Sequence, residues 1–373
     1  MKRVLLSFLS LFLFVNVSFA ANYRAVIVAD IDSGRVLYNE NANQLNYPAS
    51  LTKIMTLYLT FDALEHNRLH LDDYLIVSNY AANAQPVKLG LSAGSKITVE
   101  EAIKAVAVLS ANDVARVLAE NLQGGKERNF AGMMTEVANE IGLQNTNFEN
   151  SSGLPNDDHM STARDIALLS MAVYKHFPQY WKYFGVKTWT YNGKTYTNGN
   201  RLLTSFPGCD GMKTGFTNKS KYSLVATAKR DGHHLIAVVL GAENKDVRAS
   251  VAAKMLNIGF SKIGANSQNY NYENHKNTVA PTTKNPMVKY AQPDTKPVTY
   301  SYGNVGIQCG AFSTYEAAAN QASRIKSVMG LSANIEKNDT GLYRVRVNGL
   351  SENYANQMKQ IASQNSIDCY TFH

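Results

Sequence analysis

Three short patterns in this chain could together carry nucleophilic catalysis. The first, Ser50-Leu51-Thr52-Lys53, places a hydroxyl and an amine one helical turn apart on the same face. A serine hydroxyl becomes a nucleophile beside a base, and a lysine amine can be that base if burial or a neighbouring cation keeps it neutral. The pattern therefore predicts Ser50 as a nucleophile and Lys53 as its base.

Two further patterns would complete such a site. Ser110-Ala111-Asn112 offers a second hydroxyl and an amide, and Lys213-Thr214-Gly215 offers the neighbouring cation. Single matches have little weight, because Ser323 and Lys326 repeat the first pattern and Ser332-Ala333-Asn334 repeats the second. Only the earlier set is followed by Lys-Thr-Gly, so the order of all three patterns favours a catalytic site.

The elements predicted around these residues are those of an α+β domain. Period-two alternation predicts strands at residues 23–30, 35–39, 211–217, 222–230 and 233–241. Helical periodicity dominates residues 51–183, and a last helix is predicted over 244–260. Strands at both ends with helices between them predict one antiparallel sheet assembled from distant segments, with a largely helical insertion.

A second, smaller unit is predicted after a polar tether. Residues 263–302 are rich in Asn, Thr, Lys, Gln and Pro and have few aliphatic residues, which is typical of a flexible linker. A βαββαβ pattern follows, with strands at 305–312, 333–337, 342–347 and 367–372 and helices at 314–329 and 352–364. The expected division is a large domain over 21–262, the linker, and a small domain over 303–373.

The N-terminus and the composition narrow the class of protein. Lys2 and Arg3 precede an apolar run and a small-residue cleavage site, so residues 1–20 are predicted to be a signal peptide for export, with an uncleaved anchor as the alternative. The net charge of +8 is spread along the chain, which argues against a nucleic-acid partner. The three cysteines and eight histidines show no metal-type spacing, and no cofactor, metal or later membrane anchor is expected.

Longer segments around the three patterns resemble one known family. The segments that carry the resemblance are residues 47–56 (YPASLTKIMT), 150–155 (NSSGLP), His159 with 161–165 (STARD), Asn198 and Asn200 before Leu202-Leu203, and 208–217 (GCDGMKTGFT). They are similar to the active-site serine penicillin-binding proteins, and among them to the low-molecular-weight D-alanyl-D-alanine carboxypeptidases. The resemblance implies the penicillin-binding, β-lactamase-like transpeptidase fold.

The resemblance also implies a role for each residue of the site. Ser50 would attack the carbonyl between the two terminal D-alanines of a peptidoglycan stem pentapeptide, Lys53 would take its proton, and Ser110 would relay that proton to the leaving amine. The residues implied to bind the substrate are Asn112, Lys213, Thr214, Gly215, Phe216 and Arg248. Backbone N–H groups of Ser50 and Phe216 would form the oxyanion hole, and β-lactam antibiotics would acylate Ser50.

The small unit resembles the sporulation-related repeat, or SPOR domain, along residues 305–312 and 342–347. The resemblance implies a ferredoxin-like fold that binds peptidoglycan glycan strands stripped of stem peptides. Gln308 and Arg344 are expected on the sheet face that contacts glycan, with an ordinary solvated face as the alternative. It also implies a disulfide between Cys309 and Cys369. The expected location is the periplasm, with enrichment at the division septum.

The sequence is also compatible with three other functions. A class A β-lactamase shares the serine-lysine pair, but it needs a glutamate-bearing loop, which we do not find between Ser152 and Lys213. A DD-endopeptidase would cut cross-links with the same residues. A non-catalytic wall-binding scaffold would keep the fold without the reaction.

Overall fold

The computed structural model describes residues 22–265, 305–329, 333–350 and 352–372. The predicted signal peptide and nearly all of the predicted linker lie outside these ranges. Residues 263–265 still belong to the first unit, because Ile263 and Ala265 pack against its core. No helix among the described residues is both long and apolar enough to cross a bilayer.

The first unit alternates strands with a long helical insertion. Its strands are β1 (Ala25–Asp30), β2 (Val36–Glu40), β3 (Tyr74–Ile76), β4 (Lys96–Thr98), β5 (Thr188–Tyr191), β6 (Lys194–Thr197), β7 (Cys209–Thr217), β8 (Lys221–Arg230) and β9 (His233–Ala242). Its α-helices are α1 (Lys53–Glu65), α2 (Asn79–Ala82), α3 (Val99–Lys104), α4 (Asn112–Leu122), α5 (Glu127–Glu140), α6 (Ala163–His176), α7 (Leu202–Ser205) and α8 (Lys245–Lys262). The 3-10 segments are Ala49–Thr52 and Pro178–Gly185.

A five-stranded antiparallel sheet joins the two ends of this unit in the order β2-β1-β9-β8-β7. Val26 of β1 pairs with Val239 of β9, so the sheet closes over the whole helical insertion. Successive residues of a strand point to opposite faces, and here both faces are buried. Ile27 packs among the inserted helices, whereas Val28 packs in the core that also contains residues of α8.

Helix α1 lies at the centre of the insertion. Every residue from Lys53 to Leu64 is buried, which is the pattern of a helix surrounded by other elements rather than of an amphipathic surface helix. The two other helices that matter for the site start beside it: α4 begins at Asn112 and α5 at Glu127. A buried helix of this kind holds its first turn in a fixed position.

The chain between α3 and α4 departs from a regular helix. Residues Ala105–Leu109 form a π-helical turn, and Ser110 follows with a left-handed backbone at φ 69°. A non-glycine residue in this region is uncommon and is often found at a functional site. The break separates what would otherwise be one long helix and leaves Ser110 between two helix ends.

The second unit is a four-stranded antiparallel sheet with two helices. Its elements are β10 (Val305–Phe312), α9 (Tyr315–Met329), β11 (Asn334–Lys337), β12 (Tyr343–Leu350), α10 (Glu352–Gln364) and β13 (Tyr370–Phe372), with the sheet order β11-β12-β10-β13. Ile307, Val345 and Ile325 are buried in its core. Cys309 and Cys369 are joined by a disulfide, while Cys209 of the first unit is a free thiol. The α+β class predicted from the sequence is confirmed for the chain.

Candidate active site

Ser50 and Lys53 lie at the entrance to α1. Ser50 is in the 3-10 segment that runs directly into the helix, and Ala49 before it has a left-handed backbone at φ 49°. Ser50 is half-buried and Lys53 is fully buried. The Lys53 Nζ atom lies 3.1 Å from Ser50 Oγ, so the predicted nucleophile and base are in hydrogen-bond contact.

Lys53 Nζ makes two further contacts, both to atoms that can only accept. Asn112 Oδ1 lies 2.7 Å away, and the backbone oxygen of Ser152 lies 2.6 Å away. Asn112 Nδ2 donates to the carbonyl of Gln85, which fixes Oδ1 toward the lysine. A neutral amine has two N–H groups and one lone pair, and these acceptors take both N–H groups. The lone pair is then directed at the hydroxyl of Ser50.

The surroundings of Lys53 favour that neutral amine. Burial lowers the pKa of Lys53 well below its ordinary range, and the positive charge of Lys213 lowers it further. The carboxylates of Glu127 and Asp113 act in the opposite direction and raise it. The net effect is a depressed pKa, which is the condition that a lysine base requires.

Lys213 and Arg248 form a second feature of the site, a pair of buried cations. Lys213 Nζ donates to the backbone oxygen of Thr214 at 3.1 Å, and burial and the charge of Arg248 lower its pKa to about 7. Arg248 donates to the backbone oxygens of Ser223 and Gly199, at 3.5 and 3.4 Å, and its guanidinium lies 6.0 Å from the centre of the Tyr222 ring. No carboxylate of the described residues forms an ion pair with either cation. An anionic ligand would compensate both charges.

Ser110 contributes a hydroxyl that the fold leaves free. Its Oγ is buried and has no hydrogen-bond partner among the described residues. It is not bonded to Lys53 or Ser50, although Asn112 two residues later is bonded to Lys53. A buried hydroxyl without a partner is costly unless a ligand or water uses it.

Strand β7 borders the site and is an edge of the sheet. A Cβ atom on Gly215 would lie 3.3 Å from the Ser50 backbone nitrogen and 3.1 Å from the Pro48 oxygen, so the strand passes directly beside the nucleophile. Phe216, the next residue, is exposed. An edge strand has one unpaired row of backbone N–H and C=O groups, which can pair with an extended peptide.

His159 and Cys209 have structural positions. His159 is buried; its Nε2 lies 2.8 Å from Thr52 Oγ1, and its Nδ1 accepts from the Glu149 backbone N–H. Burial and the charge of Lys53 lower the pKa of His159 to about 3, which keeps the ring neutral. Burial raises the pKa of Cys209 to about 11, so its thiol is not a nucleophile near neutral pH.

Sequence reasoning missed two contributors to the site. One is the backbone oxygen of Ser152, whose segment was singled out but whose contact with Lys53 was not. The other is the buried carboxylate of Glu127, which no motif indicated. Among the residues that the structure describes, no group of three or more His, Cys, Asp or Glu side chains could hold a metal ion.

The open face of the small sheet presents a basic and aromatic surface. Arg346 lies at its centre: its Nε donates to Gln308 Oε1 at 2.8 Å, and its guanidinium lies 4.5 Å from the centre of the Phe372 ring. Gln308 is therefore buried beneath Arg346. Arg344 lies two residues earlier on β12 and shares this face. The sequence prediction named Gln308 and Arg344 but not Arg346, which contacts Gln308 directly.

Comparisons with known proteins identify two matching families. The family model described as D-alanyl-D-alanine carboxypeptidase matches residues 16–244, and the SPOR domain model matches residues 301–371. The chain is 36% identical to the carboxypeptidase DacF of Bacillus subtilis over 64% of its own length and 62% of the relative. It is 38% identical to DacC of Escherichia coli over 67% of its own length and 66% of the relative. It thus spans somewhat less than two thirds of these relatives.

Solved structures show the same similarity. Penicillin-binding protein 5 of Haemophilus influenzae matches with a TM-score of 0.63 and 32% identity, covering 65% of this chain and 72% of that one. Penicillin-binding protein D2 of Listeria monocytogenes, in its ampicillin-bound form, matches with a TM-score of 0.57 and 31% identity, covering 65% of this chain and 99% of that one. The predicted penicillin-binding fold is confirmed.

Proposed function

Because the chain belongs to the D-alanyl-D-alanine carboxypeptidase family, we propose that it removes the terminal D-alanine from peptidoglycan stem pentapeptides through an acyl-enzyme on Ser50. The observation that carries this proposal is the position of Lys53. Its amine contacts the Ser50 hydroxyl while Asn112 and Ser152 occupy its two N–H groups. This arrangement supports proton abstraction from the nucleophile at neutral pH.

The reaction proceeds in two halves. Ser50 Oγ attacks the carbonyl carbon between the D-alanines and its proton passes to Lys53 Nζ. The C–N bond then breaks, and the departing amine takes a proton that Ser110 relays from Lys53. Water hydrolyses the ester, which gives the shortened stem peptide and regenerates Ser50. The backbone N–H groups of Ser50 and Phe216 stabilise the oxyanion, an effect of about 3 kcal/mol per donor in serine peptidases.

The buried cations bind the end of the substrate. Lys213 and Arg248 lack a carboxylate partner in the described structure, and the terminal carboxylate of a D-alanyl-D-alanine peptide supplies one. Thr214 adds a hydroxyl, and Gly215 lets the peptide lie against the strand. A carboxylate bound there stabilises the charged form of Lys213, and that charge in turn keeps Lys53 neutral.

The masses of the products test this function directly. Wild-type protein and the Ser50→Ala variant are incubated with a stem pentapeptide and, separately, with cross-linked muropeptides. The expected result is a pentapeptide shortened by one alanine with wild type alone. Faster cleavage of the cross-linked substrate would instead support an endopeptidase, and unchanged substrates would support a scaffold.

The lifetime of the penicillin ester distinguishes a carboxypeptidase from a β-lactamase. The related protein D2 has been solved with ampicillin and with cefotaxime bound. We propose that β-lactams acylate Ser50 here as well and that the ester persists. Rapid turnover of the drug would support a β-lactamase instead, because that activity requires efficient deacylation.

The SPOR domain at residues 301–371 directs this activity to the wall. We propose that its open sheet face binds glycan strands stripped of stem peptides, through Arg344 and Arg346 with Gln308 as support. We also propose that the chain is exported to the periplasm and enriched at the septum, with a linker that begins after residue 265 between the domains. An oxidising periplasm would allow Cys309 and Cys369 to pair.

The glycan surface is tested by replacing arginines on opposite sides of the domain. Arg346→Ala should weaken co-sedimentation with stripped glycan strands by about fivefold or more, the effect of ~1 kcal/mol. The control is Arg324→Ala, which removes an exposed arginine of α9 that donates to the Asn365 carbonyl. Equal loss of binding in both variants would indicate that net charge, rather than this face, is recognised.

A further inference from the structure

The buried carboxylate of Glu127 lies behind Lys53 and takes no part in the proton transfers proposed above. Glu127 is the first residue of α5, and its side chain is only 6% exposed. Its Oε1 accepts from the Ser151 backbone N–H at 3.0 Å and from Ser151 Oγ at 2.5 Å. Its Oε2 accepts from Tyr80 OH at 2.6 Å and lies 3.4 Å from Arg116 Nε.

These contacts join the segments that hold Lys53. Ser151 and Ser152 belong to a turn that Asn150 organises internally, since Asn150 Oδ1 accepts from the backbone N–H groups of residues 152–154. Two carbonyls of this turn face α1: that of Ser151 accepts from Thr56 Oγ1, and that of Ser152 accepts from Lys53 Nζ. Glu127 anchors the turn to α5 from the other side.

We infer that Glu127 is a positioning residue for the base, which fixes the Ser152 carbonyl against Lys53 and supplies a buried negative charge behind it. This inference rests on the proposed function, because it assigns a role in the step that Lys53 performs. Any group that displaced the Ser151-Ser152 turn would remove one of the two acceptors that orient the amine. The lone pair would then no longer be directed at Ser50.

The negative charge of Glu127 acts on Lys53 in a definite direction. The charged and titratable groups around Lys53 are Lys213 of β7, Asp113 of α4, Glu127 of α5, and His159, while Tyr80 and Arg116 face Glu127 itself. Glu127 raises the pKa of Lys53. Removal of its charge should therefore lower that pKa, so that Lys53 stays neutral, and acylation continues, at a lower pH.

The experiment measures the rate constant of acylation by fluorescent penicillin as a function of pH. For Glu127→Gln, the acidic limb of the profile should move to lower pH. The plateau of the rate constant should fall by about tenfold, because an amide has one acceptor oxygen and cannot accept both from Ser151 and from Tyr80, which loosens the anchor of the turn. The matched control is Glu120→Gln. Glu120 is another buried carboxylate, bonded to Ser78 Oγ, and its replacement should leave the limb in place.

The position of the acidic limb decides whether Glu127 positions the base. An acidic limb that stays at its wild-type position in folded Glu127→Gln overturns the inference, whether or not the plateau falls, because a merely structural role would lower the rate equally at every pH. If Glu127→Gln does not fold, Ser151→Ala decides: a lower plateau with an unmoved limb supports the inference, and wild-type rates overturn it. Wild-type protein that is not acylated overturns the proposed function as well, so the two failures are distinguishable.

Discussion

Replacing Ser50 by alanine should abolish covalent labelling by penicillin and lower the release of D-alanine by at least about 10⁴-fold. Under the proposed mechanism, the variant loses the atom that forms the acyl-enzyme, and the other groups of the site act on that atom or on the bond that it attacks. Alanine also fits the 3-10 segment without a new contact, because it only removes the hydroxyl. Gel fluorescence after exposure to a labelled penicillin measures the first effect, and mass spectrometry of the peptide products measures the second.

The chain contains its own control for this experiment. Ser323, with Lys326 three residues later, repeats the spacing of Ser50 and Lys53. Its hydroxyl is exposed on α9 and donates to the Ala319 carbonyl within that helix. Ser323→Ala should label at the wild-type rate. Residual labelling of Ser50→Ala together with reduced labelling of Ser323→Ala would indicate that the nucleophile is Ser323 of the second unit, and would contradict the assignment of Ser50.

The second large effect concerns the base. Lys53→Arg should lower the rate of acylation by about 10³-fold or more, since general-base catalysis contributes roughly 10² to 10⁴ and a guanidinium is charged at all accessible pH values. The variant keeps much of the length of the side chain but replaces a neutral amine by a permanent charge. It therefore tests whether the site needs a neutral amine at this position or functions with a cation there.

Lys213→Arg provides the comparison for that variant. Lys213 is expected to bind a carboxylate through its charge, and an arginine retains this charge. The acylation rate of Lys213→Arg should fall much less than that of Lys53→Arg, and the main effect of Lys213→Arg should be a lower affinity for the substrate. Thermal unfolding of both variants shows whether the fold tolerates the larger side chains. Equal losses in two folded variants would argue against Lys53 as the base.

Most of the central sheet could be predicted because its strands alternate strongly or are fully apolar. The hairpin between β8 and β9 turns at Asp231-Gly232, as its sequence indicated, with both residues at positive φ. The strand that carries Lys213 begins at Cys209, two residues earlier than predicted. Pairing with β8, which Cys209 joins opposite Ala228, extends it beyond the local pattern.

Two small two-stranded sheets escaped prediction for a physical reason. Strands β3 and β4 have three residues each, and β5 and β6 have four. Each strand buries at most one side chain, so the alternation that reveals a longer strand is absent. Their pairing depends on tertiary contacts, such as the hydrogen bond from Trp189 Nε1 to Glu101 on α3.

The site was predictable where side-chain type determines the role. Ser50, Lys53 and Asn112 converge as their motifs suggested, because a nucleophile, a base and an amide each require particular chemistry. The carbonyl of Ser152 was not predictable, since every residue has one. On the small sheet, Arg346 was missed because alternation assigns a face but does not say which arginine covers Gln308.

The pairing of β1 with β9 also determines how this domain can fold. Val26 finds its partner only when Val239 is present, so the contact order is high and sheet closure is expected to be slow. A fragment that ends between β8 and β9 contains Ser50, Lys53 and the helices around them but lacks the strand that pairs with β1 and β8. A truncated fragment of this kind would leave strand edges unpaired and prone to aggregation, and the intact domain should acquire its activity in one late cooperative step.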